Sequence, residues 1–424
     1  MSASHSGHLS AKSPQLVHEV PSDLSLEQAR ARIETAIKPC QDAEQVSLAT
    51  ASGRILAADV HVPFDVPPAR NSAMDGYALN SADLPETGER KLPVVGEVLA
   101  GHPWPNALTG GECVRITTGG ILPEGADTVV MQEHVTLEGE TIRVGCAQAG
   151  SNVRAAGEDL RQGEVCLPAG KRLGAAELGL LASLGIFEVS VLRAPRVALF
   201  STGDELVGLG QPLAAGQIYD SNRYTLKALL DGLGCVAVDL GRIADNPEAI
   251  DEALSRGGAT ADAIISSGGV SEGKADYLPQ AVAAQGGMDF WKVAMKPGRP
   301  MVFGHVEKAW YFGLPGNPVS VMVSFLMLVR PGLLRLAGTE TPPLPTVPAR
   351  CTSKLKKRPG RQDHQRGILS RDVDGQWQVA STGPQGSHVL SSMTQANCLI
   401  VLPPDNGGVA PGEWVTTVPL YGLL

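Results

Sequence analysis

The stretch RVALFSTGDEL, residues 196–206, places an apolar run directly before a glycine and two acidic residues. Three later stretches repeat this order, with helical patterns such as NRYTLKALLDGL and PEAIDEALSR between them. Alternating strands and helices predict a mainly parallel sheet with right-handed crossovers, and ligands of such sheets bind outside the carboxyl ends of the strands. The loops at that edge are STGDEL (201–206), RIADN (242–246), SSGGVSEGKAD (266–276) and LPGNP (314–318).

The third of these loops reads G-x-x-x-x-G-K from Gly268, like the start of a nucleotide-binding P-loop. A P-loop needs Ser or Thr next, to hold the magnesium ion, and here the next residue is Ala275. The motif also needs a helix at once, but Pro279 follows closely. We therefore set the ATPase interpretation aside, and infer that a glycine loop beside Asp276 suits a phosphate together with a cation.

Composition narrows the class of protein. The chain has 424 residues, which predicts two to four domains, and its net charge of −9 argues against a general nucleic-acid surface. Its seven cysteines never form C-x-x-C, which is typical of reduced cytosolic thiols rather than of a disulfide framework or zinc site. Residues 1–22 lack an apolar run long enough for a signal peptide or membrane span, so we expect a flexible tail and a cytoplasmic protein.

Local signals predict the remaining elements. Ser25 with Gln28 three residues later predicts a helix cap, followed by a buried face of Leu26, Ala29, Ile33 and Ile37. Short apolar runs separated by turn residues predict strands over residues 54–145. Residues 319–334 predict a long apolar helix with a kink at Pro331, and the runs after residue 349 predict a small β-domain.

The loops of the α/β region carry candidate metal ligands. Asp204, Glu205, Asp245 and Asp276 offer the oxygen ligands that divalent cations prefer. Each also has a simpler interpretation: Asp245 as the cap of the following helix, and Gly-Asp-Glu as an exposed turn. The gathering of several such loops at one sheet edge favours the functional interpretation.

Cations follow in WKVAMKPGRP, residues 291–300. In an extended run Lys292 and Lys296 lie on one side, so both could meet a phosphate or oxyanion, with Arg299 nearby. The alternative is a solvated edge strand protected by lysines.

Polar stretches also interrupt the strand-rich region. For Asp75 the alternatives are a cation ligand, a general base, or a turn residue before Gly76. For Thr118 they are a hydrogen-bond donor to an anion, or part of a turn at a strand end. Arg154 and Asp159 form a functional pair or a surface salt bridge of little worth. The residues alone do not choose among these alternatives.

Taken together, the motifs resemble the molybdopterin molybdenumtransferase family, the MoeA proteins and the gephyrin E domain. The resemblance extends from about residue 24 to the C-terminus. The motifs occur in the family's order: NSAMDGYA, RITTG, LPEGADTVVMQE, GEDL, STGDEL, IYDSN, SSGGVS, KPGRP, LPGNPVS, PGRQDHQRG and TGPQGSH.

The resemblance implies a magnesium-dependent enzyme that takes adenylylated molybdopterin and molybdate and releases molybdenum cofactor and AMP. The dithiolene sulfurs of the pterin receive the metal, so the protein need not supply thiolates. The expected partners are a second copy in a homodimer and, transiently, a molybdopterin adenylyltransferase and recipient molybdenum enzymes, with neither nucleic acid nor membrane. Two alternative functions are that of a molybdopterin adenylyltransferase and that of a non-catalytic molybdopterin carrier or scaffold.

Site residues follow from the matching motifs. Those expected in catalysis are Asp75, Thr118, Asp159, Glu205, Asp245, Asp276, Lys292 and Lys296, with Glu205, Asp245 and Asp276 as the magnesium ligands. Those expected to bind the pterin substrate are Arg154, Ser267, Gly268, Gly269, Ser271, Pro315, Pro318 and Ser387.

The implied fold is a multidomain α/β plus β protein with an elongated subunit. It has a flexible tail (1–22), an extended and helical domain in two pieces (23–66 and 160–194), a strand-rich domain (67–159), a molybdopterin-binding α/β domain (195–338) and a C-terminal β-barrel (345–424). The sequence departs from the family pattern at Glu272 and Lys274, and at His364, where an aromatic residue is common.

Overall fold

A computed structural model describes residues 21–270 and 277–423, apart from the side chain of Ser22. The chain divides into two compact units. The first comprises the residues up to 45, residues 53–55 and the residues from 190 onward, and the second comprises residues 46–52 and 56–189. Strands Ala43–Ser47 and Glu188–Leu192 contain two of the points where the chain passes from one unit to the other. The division into a tail and four domains, expected from the sequence, remains a prediction.

A seven-stranded sheet organises the first unit. Its four strands from Val236–Ile243 to Ala309–Leu314 run parallel, which confirms the predicted sheet. All five residues of the interior strand Ala263–Ser267 are buried, as expected where helices cover both faces. The order across the sheet is Ser22–Leu24, Gly286–Val293, Val302–Val306, Ala309–Leu314, Ala263–Ser267, Arg196–Thr202 and Val236–Ile243, where Val302–Val306 runs antiparallel to both neighbours.

Helices cover the two faces of this sheet. The N-terminal helix Leu26–Ala36 begins at a capping box in which Ser25 and Gln28 bond each other's backbone N–H groups, as the sequence predicts. Its buried face carries Leu26, Ala29 and Ile33. The other helices of the sheet layer are Asn222–Gly232, Pro247–Thr260, Leu278–Gln285 and the core helix, Pro318–Leu336.

The core helix is nearly all apolar and is buried inside the first unit, although its length and composition would also suit a membrane span. Its middle, Phe325–Val329, is a π-helical segment that ends two residues before Pro331. Proline has no N–H to donate, so the carbonyl of Met327 lacks its usual helical partner. Arg30 of the N-terminal helix donates to that carbonyl through Nη2 at 3.1 Å instead. The irregularity predicted at Pro331 is therefore a π segment stabilised by a tertiary hydrogen bond.

A closed five-stranded barrel forms the C-terminal part of the first unit. Gln362–Arg371 pairs with Trp377–Ser381 on one side and with Cys398–Leu402 on the other, which closes the ring. The short strand Met295–Lys296 adds to the edge of Gln362–Arg371. The remaining barrel strands are Val347–Cys351 and Trp414–Pro419; the short strands Leu355–Lys356 and Gly408–Val409 pair with each other, and helix Ser391–Gln395 precedes Cys398–Leu402.

The second unit is mostly strands, as its turn-rich sequence predicts. Its six-stranded sheet runs in the order Thr128–Met131, Gly76–Leu79, Cys113–Ile116, Glu89–Val98, Thr141–Gly145 and Val135–Glu138. Two short pairs, Asn71–Ser72 with Val153–Arg154 and Val60–His61 with Val165–Leu167, and the helix Ala175–Ser183 complete it.

We expect Arg30→Met to lower the free energy of unfolding by about 1–3 kcal/mol, because a buried carbonyl at Met327 loses its hydrogen bond. Arg32→Met, on the exposed face of the same helix, should stay within about 0.5 kcal/mol of the wild type. Urea denaturation followed by circular dichroism measures both. Equal effects of the two substitutions would contradict this role for Arg30.

Candidate active site

A polar cavity of about 610 Å³ opens at the carboxyl ends of the parallel strands of the first unit. All four predicted loops contribute to it. The rest of the wall comes from residues 296–300, from Ser320 of the core helix and, in the C-terminal barrel, from Arg361 and residues 385–387. The lining residues are Thr202, Gly203, Glu205, Asp245, Gly268, Gly269, Val270, Lys296, Pro297, Gly298, Arg299, Pro300, Pro315, Gly316, Asn317, Ser320, Arg361, Gln385, Gly386 and Ser387.

The glycine pair after strand Ala263–Ser267 packs tightly against the neighbouring loop. Gly268 has φ +93°, and a Cβ there would lie 2.4 Å from the carbonyl oxygen of Thr202. Gly269 has φ +68°, and its Cβ would lie 2.9 Å from Cγ2 of Thr202. Because a side chain fits at neither position, the two loops approach closely enough for their backbones to face the same cavity.

Two acidic side chains line the cavity at this point. The carboxylate of Glu205 folds back over Gly203, where a Cβ would come within 2.6 Å of Oε2. Asp245 accepts a hydrogen bond of 3.4 Å from the Thr202 hydroxyl. The helix Pro247–Thr260 is capped by Asn246, whose side chain accepts from the N–H of Ala249, so the capping interpretation of Asp245 is wrong.

Buried hydrogen bonds join the glycine loop to LPGNP. Asn222 Nδ2 donates to the Ser267 hydroxyl at 2.8 Å and to the Gly316 carbonyl at 2.7 Å. Ser267 and Pro318 line a second cavity that shares Thr202, Glu205, Gly316 and Asn317 with the first. Pro315 borders the main cavity.

The barrel contributes to the site through a buried acid. Asp363, only 3% exposed, accepts from Lys296 Nζ at 3.2 Å and from Gln365 Nε2 at 3.1 Å. The parallel pairing of strands Met295–Lys296 and Gln362–Arg371 places these two residues side by side. Lys296 is therefore held at the cavity wall by a residue that lies 67 positions later in the chain.

Lys292 occupies a different position. It has φ +73°, which breaks the simple alternation of an extended strand, and its ammonium lies 4.2 Å from the ring centre of Trp291. Among the described residues, Lys296 lines the main cavity and Lys292 does not, and the role expected of Lys292 stays a prediction. Arg299 lines the cavity and pairs with Asp23 at 2.9 Å.

The remaining predicted residues lie in the second unit. Thr118 donates to Oδ1 of Asp75 through its N–H at 2.7 Å and through its hydroxyl at 2.9 Å. These hydrogen bonds hold the pKa of the exposed Asp75 carboxyl below its usual range. Arg154 pairs in a short ladder with Asn71, four residues before Asp75. Asp159 is exposed, and its N–H donates to the carbonyl of Val66.

Burial keeps four of the cysteine thiols from ionising. None of the described residues that line the main cavity is a cysteine. Burial raises the pKa of Cys40 to about 11 and those of Cys113, Cys235 and Cys398 to about 12, so these thiols stay protonated.

Within residues 21–270 and 277–423, no three His, Cys, Asp or Glu side chains are arranged to hold a metal ion. Asp276, the third expected magnesium ligand, and Ser271 lie outside these described residues, as do Glu272 and Lys274.

Sequence reasoning did not assign several lining residues. Arg361 lies in PGRQDHQRG, and Gln385 and Gly386 lie in TGPQGSH, two motifs that carry the resemblance but assign no role to these positions. Only Ser387 was expected from that part of the chain. His364 is fully buried and burial lowers its pKa to about 4, so a neutral ring stands where the family commonly has an aromatic residue.

The chain matches three family models in order along its length. They are the MoeA N-terminal region (domain I and II) over residues 24–185, a "Probable molybdopterin binding domain" over residues 198–335, and the MoeA C-terminal region (domain IV) over residues 348–420.

Curated proteins and a solved structure agree with these matches. The chain is 44% identical to a molybdopterin molybdenumtransferase of Haemophilus influenzae, over 95% of this chain and 100% of that protein. It is 40% identical to a molybdopterin molybdenumtransferase of Nostoc sp., over 90% and 89% of the two chains. A crystal structure of a molybdopterin biosynthesis MoeA protein from Pyrococcus horikoshii superposes with a TM-score of 0.81 at 29% identity, covering 94% of this chain and 100% of that one. With the loop architecture and the closed barrel, this similarity shows that the chain belongs to the molybdopterin molybdenumtransferase (MoeA) family.

Proposed function

We propose that the protein inserts molybdate into adenylylated molybdopterin in a magnesium-dependent reaction that releases AMP and molybdenum cofactor. One observation carries the proposal: a single cavity combines the carboxylates of Glu205 and Asp245 with the cations of Lys296, Arg299 and Arg361. Backbone at Gly268 and Gly269 adds a surface that a phosphate can approach closely. A substrate rich in phosphate, a divalent cation and an oxyanion each match part of this wall.

The carboxylates fit magnesium by their chemistry. Mg²⁺ binds through one or two carboxylates plus the phosphates of its substrate, and Glu205 and Asp245 both line the cavity. These two residues would hold the ion, with Asp276 of the expected set, and the ion would offset the charge of the phosphates. Lys296 and Arg361 would bind the oxyanions, and the ion pair with Asp363 would keep Lys296 oriented.

The lack of cysteine among the described lining residues supports molybdate as a substrate rather than as a resident metal. Thiolates are the protein ligands that soft metals select. In the proposed reaction the pterin's own dithiolene sulfurs supply them. The protein then binds and orients two substrates, and reaction between bound and aligned partners accounts for much of the rate.

In the same proposal Asp75, hydrogen-bonded by Thr118, serves as an anionic ligand. A general base works best with a pKa near the working pH, whereas the hydrogen bonds from Thr118 move the pKa of Asp75 the other way. Of the two functional roles left open by the sequence, cation ligand and general base, the role of cation ligand therefore suits Asp75 better. A homodimer, a cytoplasmic location, and transient contacts with an adenylyltransferase and recipient enzymes complete the proposal.

The direct test incubates purified protein with adenylylated molybdopterin, magnesium and molybdate. AMP release that needs molybdate, together with reconstitution of an apo molybdenum enzyme, is the expected result. Tight pterin binding without either product would replace the proposal with a carrier or scaffold.

We expect Asp245→Asn to slow molybdate-dependent AMP release on the order of 10²-fold and to raise the magnesium concentration needed, because one anionic ligand is lost. Glu252→Gln removes a carboxylate from the exposed surface of the adjoining helix and serves as the control. Magnesium titrations of the initial rate compare the two. Wild-type rate and magnesium dependence in Asp245→Asn would remove Asp245 from the site.

We expect Thr118→Val to raise the pKa of Asp75, because the hydroxyl donor is lost while the N–H donor remains. A depressed pKa contributes stability above the unfolded value, and that contribution is lost as the pH falls through the folded pKa. The destabilisation caused by Thr118→Val should therefore shrink under acidic conditions. NMR titration of the Asp75 carboxyl measures the shift, with exposed Thr136→Val as the control. An unchanged Asp75 titration would show that the hydroxyl bond is unimportant.

A further inference from the structure

Two cations that line the main cavity lie in one short segment, residues 294–300, which we call the cation-bearing segment. Each of them is held by an acid from a distant part of the chain. Lys296 pairs with Asp363 of the barrel, 67 positions later. Arg299 pairs with Asp23, 276 positions earlier. The N-terminal acid therefore does for Arg299 what the barrel acid does for Lys296.

The N-terminal strand Ser22–Leu24 brings Asp23 to this segment. It pairs in parallel with the strand Gly286–Val293 at the edge of the seven-stranded sheet. Directly after that strand, the N–H of Ala294 donates to the carbonyl of Leu24 at 2.7 Å. The three-residue strand therefore ends where the cation-bearing segment begins, and Asp23 lies beside that segment.

The backbone of Asp23 has a left-handed conformation. Its φ is +56°, in a region that few residues other than glycine adopt, although Asp and Asn tolerate it better than most. Such a conformation is unfavourable and persists only where surrounding contacts compensate for it. The hydrogen bonds between the Asp23 carboxylate and Arg299 are contacts of that kind.

The pair between Asp23 and Arg299 is bidentate. Nε and Nη2 of Arg299 donate to the two carboxylate oxygens at 2.9 and 3.0 Å. Two parallel hydrogen bonds fix the plane of a guanidinium, whereas a single bond leaves it free to rotate. A guanidinium has five N–H donors, and this pairing uses two of them. The carboxylate of Asp23 therefore sets how the guanidinium of Arg299 is oriented at the cavity wall.

The contribution of this pair lies in orientation more than in stability. The hydrogen bonds from Arg299, together with the charges of Arg299, Lys292 and Arg361, hold the pKa of the Asp23 carboxyl below its usual range, so Asp23 is ionised at neutral pH. The side chains of Asp23 and Arg299 are 47% and 40% exposed. Ion pairs that are exposed to this degree add little to the stability of a fold. What the pair changes is the position of a cation that lines the main cavity.

We propose that Asp23 is a positioning residue that holds the Arg299 guanidinium at the wall of the main cavity, in the orientation that binds a phosphate group of the substrate. The contact with Arg299 is independent of the reaction, whereas the phosphate as the ligand of Arg299 rests on the proposed function. Asp23 lies outside every motif that carries the family resemblance, so the resemblance does not imply this role.

The first test follows Arg299 without any reaction. Phenylglyoxal modifies accessible arginine side chains, and mass spectrometry measures the rate at the peptide that contains Arg299, with exposed Arg32 as the internal reference. Asp23→Asn suits a left-handed backbone but carries no charge, and we expect it to speed the modification of Arg299 about fivefold. Glu27→Gln removes an exposed carboxylate from the N-terminal helix and should leave the rate unchanged. Equal rates in the wild type and Asp23→Asn would overturn the orientation of Arg299 by Asp23.

The second test measures AMP release at varied concentrations of adenylylated molybdopterin. We expect Asp23→Asn to raise KM about fivefold and to keep kcat within about twofold of the wild type, because bound substrate and transition state lose the same phosphate contact. Glu27→Gln should behave like the wild type. A merely structural defect would lower the amount of active enzyme, and with it kcat, at unchanged KM. A lower KM in Asp23→Asn would show that the carboxylate only weakens the positive potential of the cavity, and the positioning role would be wrong.

A double variant determines whether Asp23 acts through Arg299. Arg299→Gln removes the guanidinium, so adding Asp23→Asn to it should change KM no further. A further rise of KM in the double variant would contradict the positioning role. If no preparation releases AMP, the proposed function fails, and the rate of Arg299 modification still decides whether Asp23 orients Arg299.

Discussion

The burial of the core helix Pro318–Leu336 is the interaction on which the first unit depends. Its side chains belong to one hydrophobic core that also takes in the N-terminal helix, the parallel strands and barrel residues such as Leu399 and Val418. Burial of apolar surface on this scale is the main source of stability in a protein fold. Because the sheet and the barrel share that core, the residues on each side of the cavity keep fixed positions relative to one another.

This arrangement explains why the barrel takes part in the chemistry. The strand Met295–Lys296 leaves the α/β layer and pairs with the barrel strand that carries Asp363. A lysine at a cavity wall costs side-chain entropy when it is ordered, and a buried carboxylate at 3.2 Å restrains it. The barrel therefore orients a cation of the proposed active site as well as covering one side of it.

Acidic and basic side chains lie on different sides of the main cavity in the first unit. Carboxylates lie at the ends of the strands Arg196–Thr202 and Val236–Ile243, and cations lie on the side of the barrel. Between them the backbone of Gly268 and Gly269 allows close approach of a ligand without adding charge. Such a division lets a cation and several anionic groups share one cavity with little mutual repulsion.

Particular residues show how far sequence patterns reach. Ser25 and Gln28 predicted the first helix cap because a capping box is local, and the apolar runs predicted the parallel strands because burial on both faces leaves a continuous signal. The sequence also allows Asp245 as a helix cap, but the next residue, Asn246, takes that position. Adjacent acceptors compete for one cap, and backbone angles decide between them.

The sequence by itself determined the fold class, the loops at the sheet edge, and the family to which the chain belongs, because these depend on periodicity and on ordered motifs. Only the tertiary structure decided which residues share a cavity. Asp363 reaches Lys296 across 67 positions, Arg30 bonds the carbonyl freed by Pro331, and Lys292 turns onto Trp291. Each of these contacts depends on packing between segments distant in the chain or on a local left-handed backbone angle, and neither leaves a periodic trace in the sequence.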